Sequence, residues 1–420
     1  MTAGLFFIVT VIFTVSLTLL KSGKSRNSND FAVAGRSLNS FQVASVIVGT
    51  LVGGASTIGT VQMAFKFGLA AWIFTLGSGI ACLLLGLFFS KVLRESETIT
   101  ISELIGKYFG EKTKKIVSIL SSAGMFIHVI AQIIAASAIL ISISGIPLNY
   151  SVFAVTVIFM VFVAFGGIKG ASYLGSIKIY MLYSLFIISV IIILKNTSFQ
   201  EICKDLPNGN WFSILSYGKL QAITDIAFMI IGVLSTQIYL QAIFSAKNVR
   251  EARNGAFISA AIIPPIGLAG VLIGLYLRVR HPTEIGLTSN ALPFFVNHYF
   301  PKIIAGIFMG FLFVIISGTG SGLALGVTTN IFNDFFKSSN SKNIKFIAMA
   351  TLMLASLIVL SKMDKMILEW SFLSMGLRGT TVFIPLLLIT FIKDKEKILK
   401  TKKFIFLPLI IYFIYVFLVF

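Results

Sequence analysis

Charge is scarce in this chain: 12% of its 420 residues are Asp, Glu, Lys or Arg, about half the share of an ordinary globular protein. With 57% hydrophobic side chains and a mean hydropathy of +0.96, no stretch is polar enough for a separate soluble domain, which excludes a membrane enzyme with a large headpiece. Acidic residues are scarcer still, 15 against 34 basic, for a formal net charge of +19. On a soluble face that excess would suggest nucleic acid; between apolar runs it is read against a lipid bilayer instead, and no nucleic-acid partner is expected. Two cysteines, Cys82 in an apolar run and Cys203 in a connection, exclude a disulfide framework or a thiolate metal site. The three histidines, His128, His281 and His298, are scattered. With no carboxylate pair or His/Glu set inside the runs, an intramembrane enzyme is not expected, nor an organic cofactor. The first 20 residues lack a preceding positive region and a nearby small-residue cleavage site, so they read as a retained span rather than a signal peptide.

What fills the chain is long apolar runs, at 2–20, 40–64, 69–92, 115–144, 149–165, 172–194, 222–244, 255–277, 302–331, 344–361, 366–392 and 404–420. Each approaches the roughly 20 residues that cross a bilayer as a helix, and the runs are continuous rather than alternating, unlike those of an outer-membrane barrel. The expectation is an all-α polytopic membrane protein of about twelve helices. Counted over alternate connections, 23 Lys and Arg fall on one side and 9 on the other, with Lys178 and Arg378 left inside helices. The asymmetry places the first side in the cytoplasm and both termini outside, in the cell (plasma) membrane.

Of the connections between runs, two both exceed 20 residues and directly follow the second helix of a possible five-helix unit, 93–114 and 278–301. Five is odd, so consecutive units insert in opposite orientations, as in inverted-repeat transporters with a midplane substrate site. The organisation expected is an extra N-terminal helix and loop (1–39), a first repeat (40–194), a second, inverted repeat (222–392), and a basic loop with a last helix (393–420). Within the second run, 49–59 holds four glycines and three hydroxyl residues. A helix unwound there frees carbonyls for a cation; the competing reading is small residues for close helix packing. The ninth run carries Ser317, Gly318, Thr319 and Ser321, oxygen donors of the kind a hard cation takes.

Phe31 to Leu38 before the second run, the glycine-rich second run itself, Thr98 to Gly110 as an amphipathic loop, Gly166 to Gly170 as a paired-glycine turn, and Gln237 to Gly255 leaving the seventh form a set. Together these segments resemble the sodium:solute symporter family. The resemblance implies a LeuT-like 5+5 inverted repeat with one extra helix at each end, and ion-coupled transport of a small organic solute by alternating access. It also implies a sodium site: carbonyls of Gly49, Val52 and Ile315, with the two hydroxyl positions falling on Gly318 and Thr319, or on Ser317 and Gly318 after a one-residue slip. Either way one hydroxyl is missing. The family's Thr-Asp pair falls on Leu174 and Gly175, and its following glutamine on Lys178.

Lys178 lies roughly 9–13 Å along its helix from the expected cytoplasmic end. Its ammonium either takes the place of sodium beside Thr319, making transport proton-coupled through the lysine or facilitative with no ion at all, or snorkels to the headgroups. Arg378, about twelve residues from either end of the eleventh run, is too deep to snorkel. Its planar fork suits a carboxylate, and with Ser56 and Gln237 it forms the candidate solute site. The seventh run is expected to break at Gly232. Two other classes remain: a sensor on a transporter scaffold, which would need an output domain, and a channel, which saturable accumulation against a gradient would reject.

Overall fold

In hydrocarbon each backbone N–H and C=O must be paired within its own segment, so apolar runs of this length become helices. The computed structural model describes residues 2–21, 33–165, 168–335, 341–361, 366–392 and 394–419. Its main helices are α1 (Thr2–Lys21), α2 (Ser40–Leu51), α3 (Thr60–Phe67), α4 (Ile73–Leu84), α5 (Ile101–Phe109), α6 (Glu111–Ser144), α7 (Leu148–Phe165) and α8 (Ile168–Asn196). They continue as α9 (Lys219–Val233), α10 (Gln237–Phe244), α11 (Val249–Arg280), α12 (Ala291–Tyr299), α13 (Lys302–Phe335), α14 (Ser341–Ser361), α15 (Ile367–Phe391) and α16 (Leu407–Val419). Among the described residues, eight helices are long and apolar enough to cross a membrane, and four shorter apolar ones accompany them. The first long stretch, Ala55–Glu95, runs through both α3 and α4, which turn at Gly68 in a left-handed conformation, φ 61°. Phe31, Ala32, Gly166 and Gly167 of the family-like segments lie outside the described residues.

Two interrupted helices organise the bundle. The α2–α3 rod breaks at Val52, whose φ −85° and ψ 99° are extended, and resumes after Gly53–Gly54 through a π turn over Ala55–Gly59. The α9–α10 rod breaks over Leu234–Thr236. The expected break at Gly232 is therefore displaced toward α10. Gly232 serves close packing instead: a Cβ there would lie 2.6 Å from the Met375 carbonyl oxygen on α15. Across the break, the Thr236 hydroxyl donates to Gly232 O at 2.6 Å. The ninth run, in contrast, is one unbroken helix, α13, packed along α6 and α1. Helices α2 and α8 pack together, as do α4 with α11, α6 with α15, and α9 with α15.

Both ends are latched. At the basic end, Leu38 N donates to Ser245 O (3.1 Å) and Lys247 N to Leu38 O (2.8 Å), and Glu251 accepts from Ser40 N and Oγ. Arg94 Nε donates to Ala246 O at 2.6 Å. At the opposite end, Gln62 donates to Thr288 Oγ1 (3.2 Å) and accepts from Ile367 N (3.2 Å), tying α3 to the 288–290 turn and to α15. Between these two latches Lys178, Thr319 and Arg378 are buried.

Candidate functional site

The break in α2–α3 leaves carbonyl oxygens without helical partners, and α13 brings a hydroxyl to them. Thr319 Oγ1 lies 3.2 Å from Gly49 O, 3.4 Å from Val52 O and 3.1 Å from Ile315 O. One hydroxyl hydrogen serves only one of three acceptors at a time, so a further donor is needed. Lys178 of α8 supplies it: Nζ donates to Gly49 O and, at 2.8 Å, to Thr319 Oγ1. The side chain is 2% exposed and runs inward, not toward the headgroups. Gly53 makes room, because a Cβ there would sit 2.7 Å from Thr319 Oγ1 and 2.6 Å from Gln132 Oε1. Gln132 in turn accepts from Gly54 N at 2.7 Å, pairing an amide freed by the break. Ser317 is turned along its own helix, donating to Phe313 O at 2.7 Å, and Gly318 has no side chain. The structure thus gathers Gly49, Val52, Ile315, Thr319 and Lys178 and leaves the Ser317 hydroxyl out.

Gly175 explains how Lys178 reaches α2. A Cβ at Gly175 would lie 1.8 Å from Ser45 O, so α8 meets the α2 backbone at a point where only glycine fits. At the next residue, the Ser45 and Ser176 hydroxyls pair at 2.9 Å. The aspartate that the family resemblance puts at this position has no space here. The side chain of Leu174 lies outside the described residues.

A second buried cation sits across the break. Arg378 on α15 is fully buried; its Nε donates to Ser374 O (3.1 Å), and its Nη2 to Ser374 Oγ (2.8 Å), His128 Nδ1 (3.2 Å) and Met375 Sδ (3.1 Å). Among the described residues no carboxylate pairs with it, and Nη1 has no protein partner. Glu369 caps its own helix at Met366 N (3.1 Å), and Asp225 accepts from Tyr217 Oη (2.7 Å). Ser56 stays within the broken segment, accepting from Gly53 N at 2.9 Å. Gln237 is not brought to this group. As the first residue of α10 its amide is consumed by the α5 approach, bonding Ile99 O and Ile101 N at 2.9 Å each.

His128, which its isolated position in the sequence leaves unremarked, is the Arg378 partner that only the fold reveals. Its one sequence signal is periodic: Gly124, His128 and Gln132 lie four residues apart on one stripe of α6, and a Cβ at Gly124 would touch Arg378 Cγ at 2.5 Å. Toward the basic end, Asp334 of α13 accepts from Ser102 Oγ and from Thr100 Oγ1 (3.3 Å), with Lys114 Nζ 3.8 Å away. This anion holds the N-terminus of α5, where a negative charge is favoured. Asp334→Asn is expected to speed amide exchange over 101–109 by about tenfold, the loss of a charge-assisted bond. Exchange in α7 serves as the unaffected comparison, and an unchanged α5 would show that the clasp does not hold it.

Two interrupted helices meeting at the centre of an all-helical, multi-pass membrane bundle define the LeuT-type class. The chain belongs to the sodium:solute symporter family, which it matches over residues 31–396. It is 25% identical over 286 residues to YwcA, an uncharacterized symporter of Bacillus subtilis (strain 168), an alignment that spans 65% of this chain and 55% of that protein. The chain therefore covers little more than half the length of this relative. In structure it is similar to a Na+-coupled sialic acid symporter in a substrate-bound outward-open state, with a TM-score of 0.74, 16% identity, and 94% and 87% of the two chains covered. It is also similar to a nucleobase-cation-symport-1 family transporter in a closed conformation with bromovinylhydantoin bound, with a TM-score of 0.64, 14% identity and 93% of each chain covered. These relatives are transporters, not enzymes.

Proposed function

We propose that the protein is a secondary active transporter that carries a small, carboxylate-bearing organic solute across the cell membrane by alternating access, with the Lys178 ammonium standing where the family holds sodium. The observation that carries this reading is the contact of Lys178 Nζ with Gly49 O and Thr319 Oγ1, two of the oxygens that the family resemblance assigns to the ion. An ammonium and a sodium ion are both monovalent and both satisfied by oxygen acceptors, so the fixed lysine supplies the charge that would otherwise come from solution. The hydroxyl that the site lacks at Gly318 agrees with this: a three-donor ammonium needs fewer ligands than a bare ion. Arg378 on α15, with Nη1 free, holds the carboxylate of the solute, and Ser56, in the broken α2–α3 segment, is the second candidate contact. The basic end faces the cytoplasm and both termini lie outside, as the 23 to 9 distribution of Lys and Arg supports.

The test is uptake into reconstituted vesicles under imposed sodium or proton gradients, or none, with a panel of labelled organic acids. Uptake is expected to saturate and to be unaffected when choline replaces sodium. Sodium-stimulated uptake that persists unchanged in Lys178→Ala would reject the lysine's role. A proton gradient that drives accumulation would identify the coupling ion. Flux that neither saturates nor accumulates would make the protein a channel.

A further inference from the structure

Around Arg378, three buried groups each keep an N–H or O–H that no protein acceptor takes up. A guanidinium has no acceptor, so the Arg378 Nη2 contact requires His128 Nδ1 to accept, which leaves the imidazole neutral with its hydrogen on Nε2. That Nε2–H is fully buried and has no partner. Tyr239 on α10, also fully buried, sets its hydroxyl oxygen beside the guanidinium as an acceptor, which leaves its own hydrogen without one. Arg378 Nη1 completes the set. Three helices, α6, α10 and α15, thus gather three donors, Nη1 of the cation itself, the Tyr239 hydroxyl beside it, and the Nε2–H on the far side of the imidazole that Arg378 grips.

Charge decides what these donors await. Asp225 and Asp334 are the buried carboxylates among the described residues, and each is engaged away from Arg378, by Tyr217 and by Thr100 and Ser102. A guanidinium stays charged in any protein environment, and an uncompensated charge at membrane depth costs several kcal/mol. A net anion neutralises it. A zwitterion brings an ammonium that has no carboxylate to meet, and a sugar brings no charge at all.

From this arrangement we infer that His128 and Tyr239 determine specificity alongside Arg378, and that the solute is a small monocarboxylate anion without an amino group. The inference rests on the transport reading above and narrows it. Binding to the purified full-length protein in nanodiscs tests it, using acetate and benzoate as anions, glycine and phenylalanine as zwitterions, and acetamide and benzamide as neutral shape-matches. At least one of the two carboxylates is expected to bind saturably and raise the melting temperature, with the other four inert. Tyr239→Phe and His128→Leu should each weaken that binding about tenfold, the usual effect of losing a charge-assisted bond. His128→Gln, which keeps an N–H near the Nε2 position, should recover most of it, a rescue that a packing role would not produce. Saturable binding of a zwitterion or an amide in preference to the carboxylates, or binding by neither carboxylate, would overturn the inference. Vesicle uptake separates the two failures: accumulation of a zwitterion leaves the transporter reading standing, whereas no accumulation of any solute removes that reading too.

Discussion

Gly175→Ala is expected to cost the protein both its stability and its transport. The added methyl would sit 1.8 Å from Ser45 O, 2.6 Å from Ser45 C and 3.2 Å from Gly49 Cα, all backbone atoms of α2 that no side-chain rotation can move aside. Relief requires α8 and α2 to separate, and overpacking of this kind costs about 1–3 kcal/mol where side chains can adjust. Here they cannot. Lys178 lies one turn along the same helix, so separation also breaks its contact with Gly49 O. The melting temperature in nanodiscs should fall by several degrees and uptake by more than tenfold. Wild-type melting and uptake in the variant would show that the helices tolerate the methyl, and with it that the tight crossing is not what seats Lys178.

Lys178→Ala is expected to have the second large effect, with a signature different from general damage. Removing the ammonium leaves Gly49 O and Thr319 Oγ1 without their donor, and an unsatisfied buried polar group costs about 1–3 kcal/mol. Uptake should drop at least about tenfold. The vacated space is bordered by three carbonyls and one hydroxyl, a set of oxygens that a sodium ion accepts. Sodium chloride should therefore raise the melting temperature of the variant, by the linkage of ligand to folded state, and choline chloride should not. The wild-type protein should respond to neither salt specifically. A variant with wild-type uptake, or a wild-type protein that sodium stabilises as strongly as it does the variant, would remove the ammonium from the ion's position.

Much of the architecture was written in one dimension, because the bilayer requires each crossing segment to declare itself as an apolar run. The break in the second helix showed through as a density of glycine and hydroxyl residues at 49–59, since a helix cannot hold that composition without either unwinding or packing closely; here Gly53 and Gly54 do both. The break in the seventh helix was harder to place. Gly232 attracts it by propensity, yet the Met375 backbone claims that glycine for helix contact, and the chain unwinds instead where Thr236 can bond back to Gly232 O. In the site, the grouping of Gly49, Val52, Ile315 and Thr319 came from the family pattern, not from spacing. The choice of Thr319 over Ser317 needed side-chain direction, which a sequence does not carry. Gln237 looked like a pocket residue because it is polar on an apolar helix, but a polar residue at a helix start equally serves neighbouring loops. His128 was invisible for the converse reason: its partner stands 250 positions away on another helix, and nothing local marks the contact.

Gln132 and His128 lie on adjacent turns of α6, roughly 6 Å apart along the axis. One touches the segment that cradles the ammonium, the other the guanidinium. A rigid rod therefore joins the two cationic compartments over a single turn. Should the protein hold its solute at Arg378 as proposed, a tilt of α6 there would pull through Gln132 on the Gly54 amide as well, so both cations would answer to one helix.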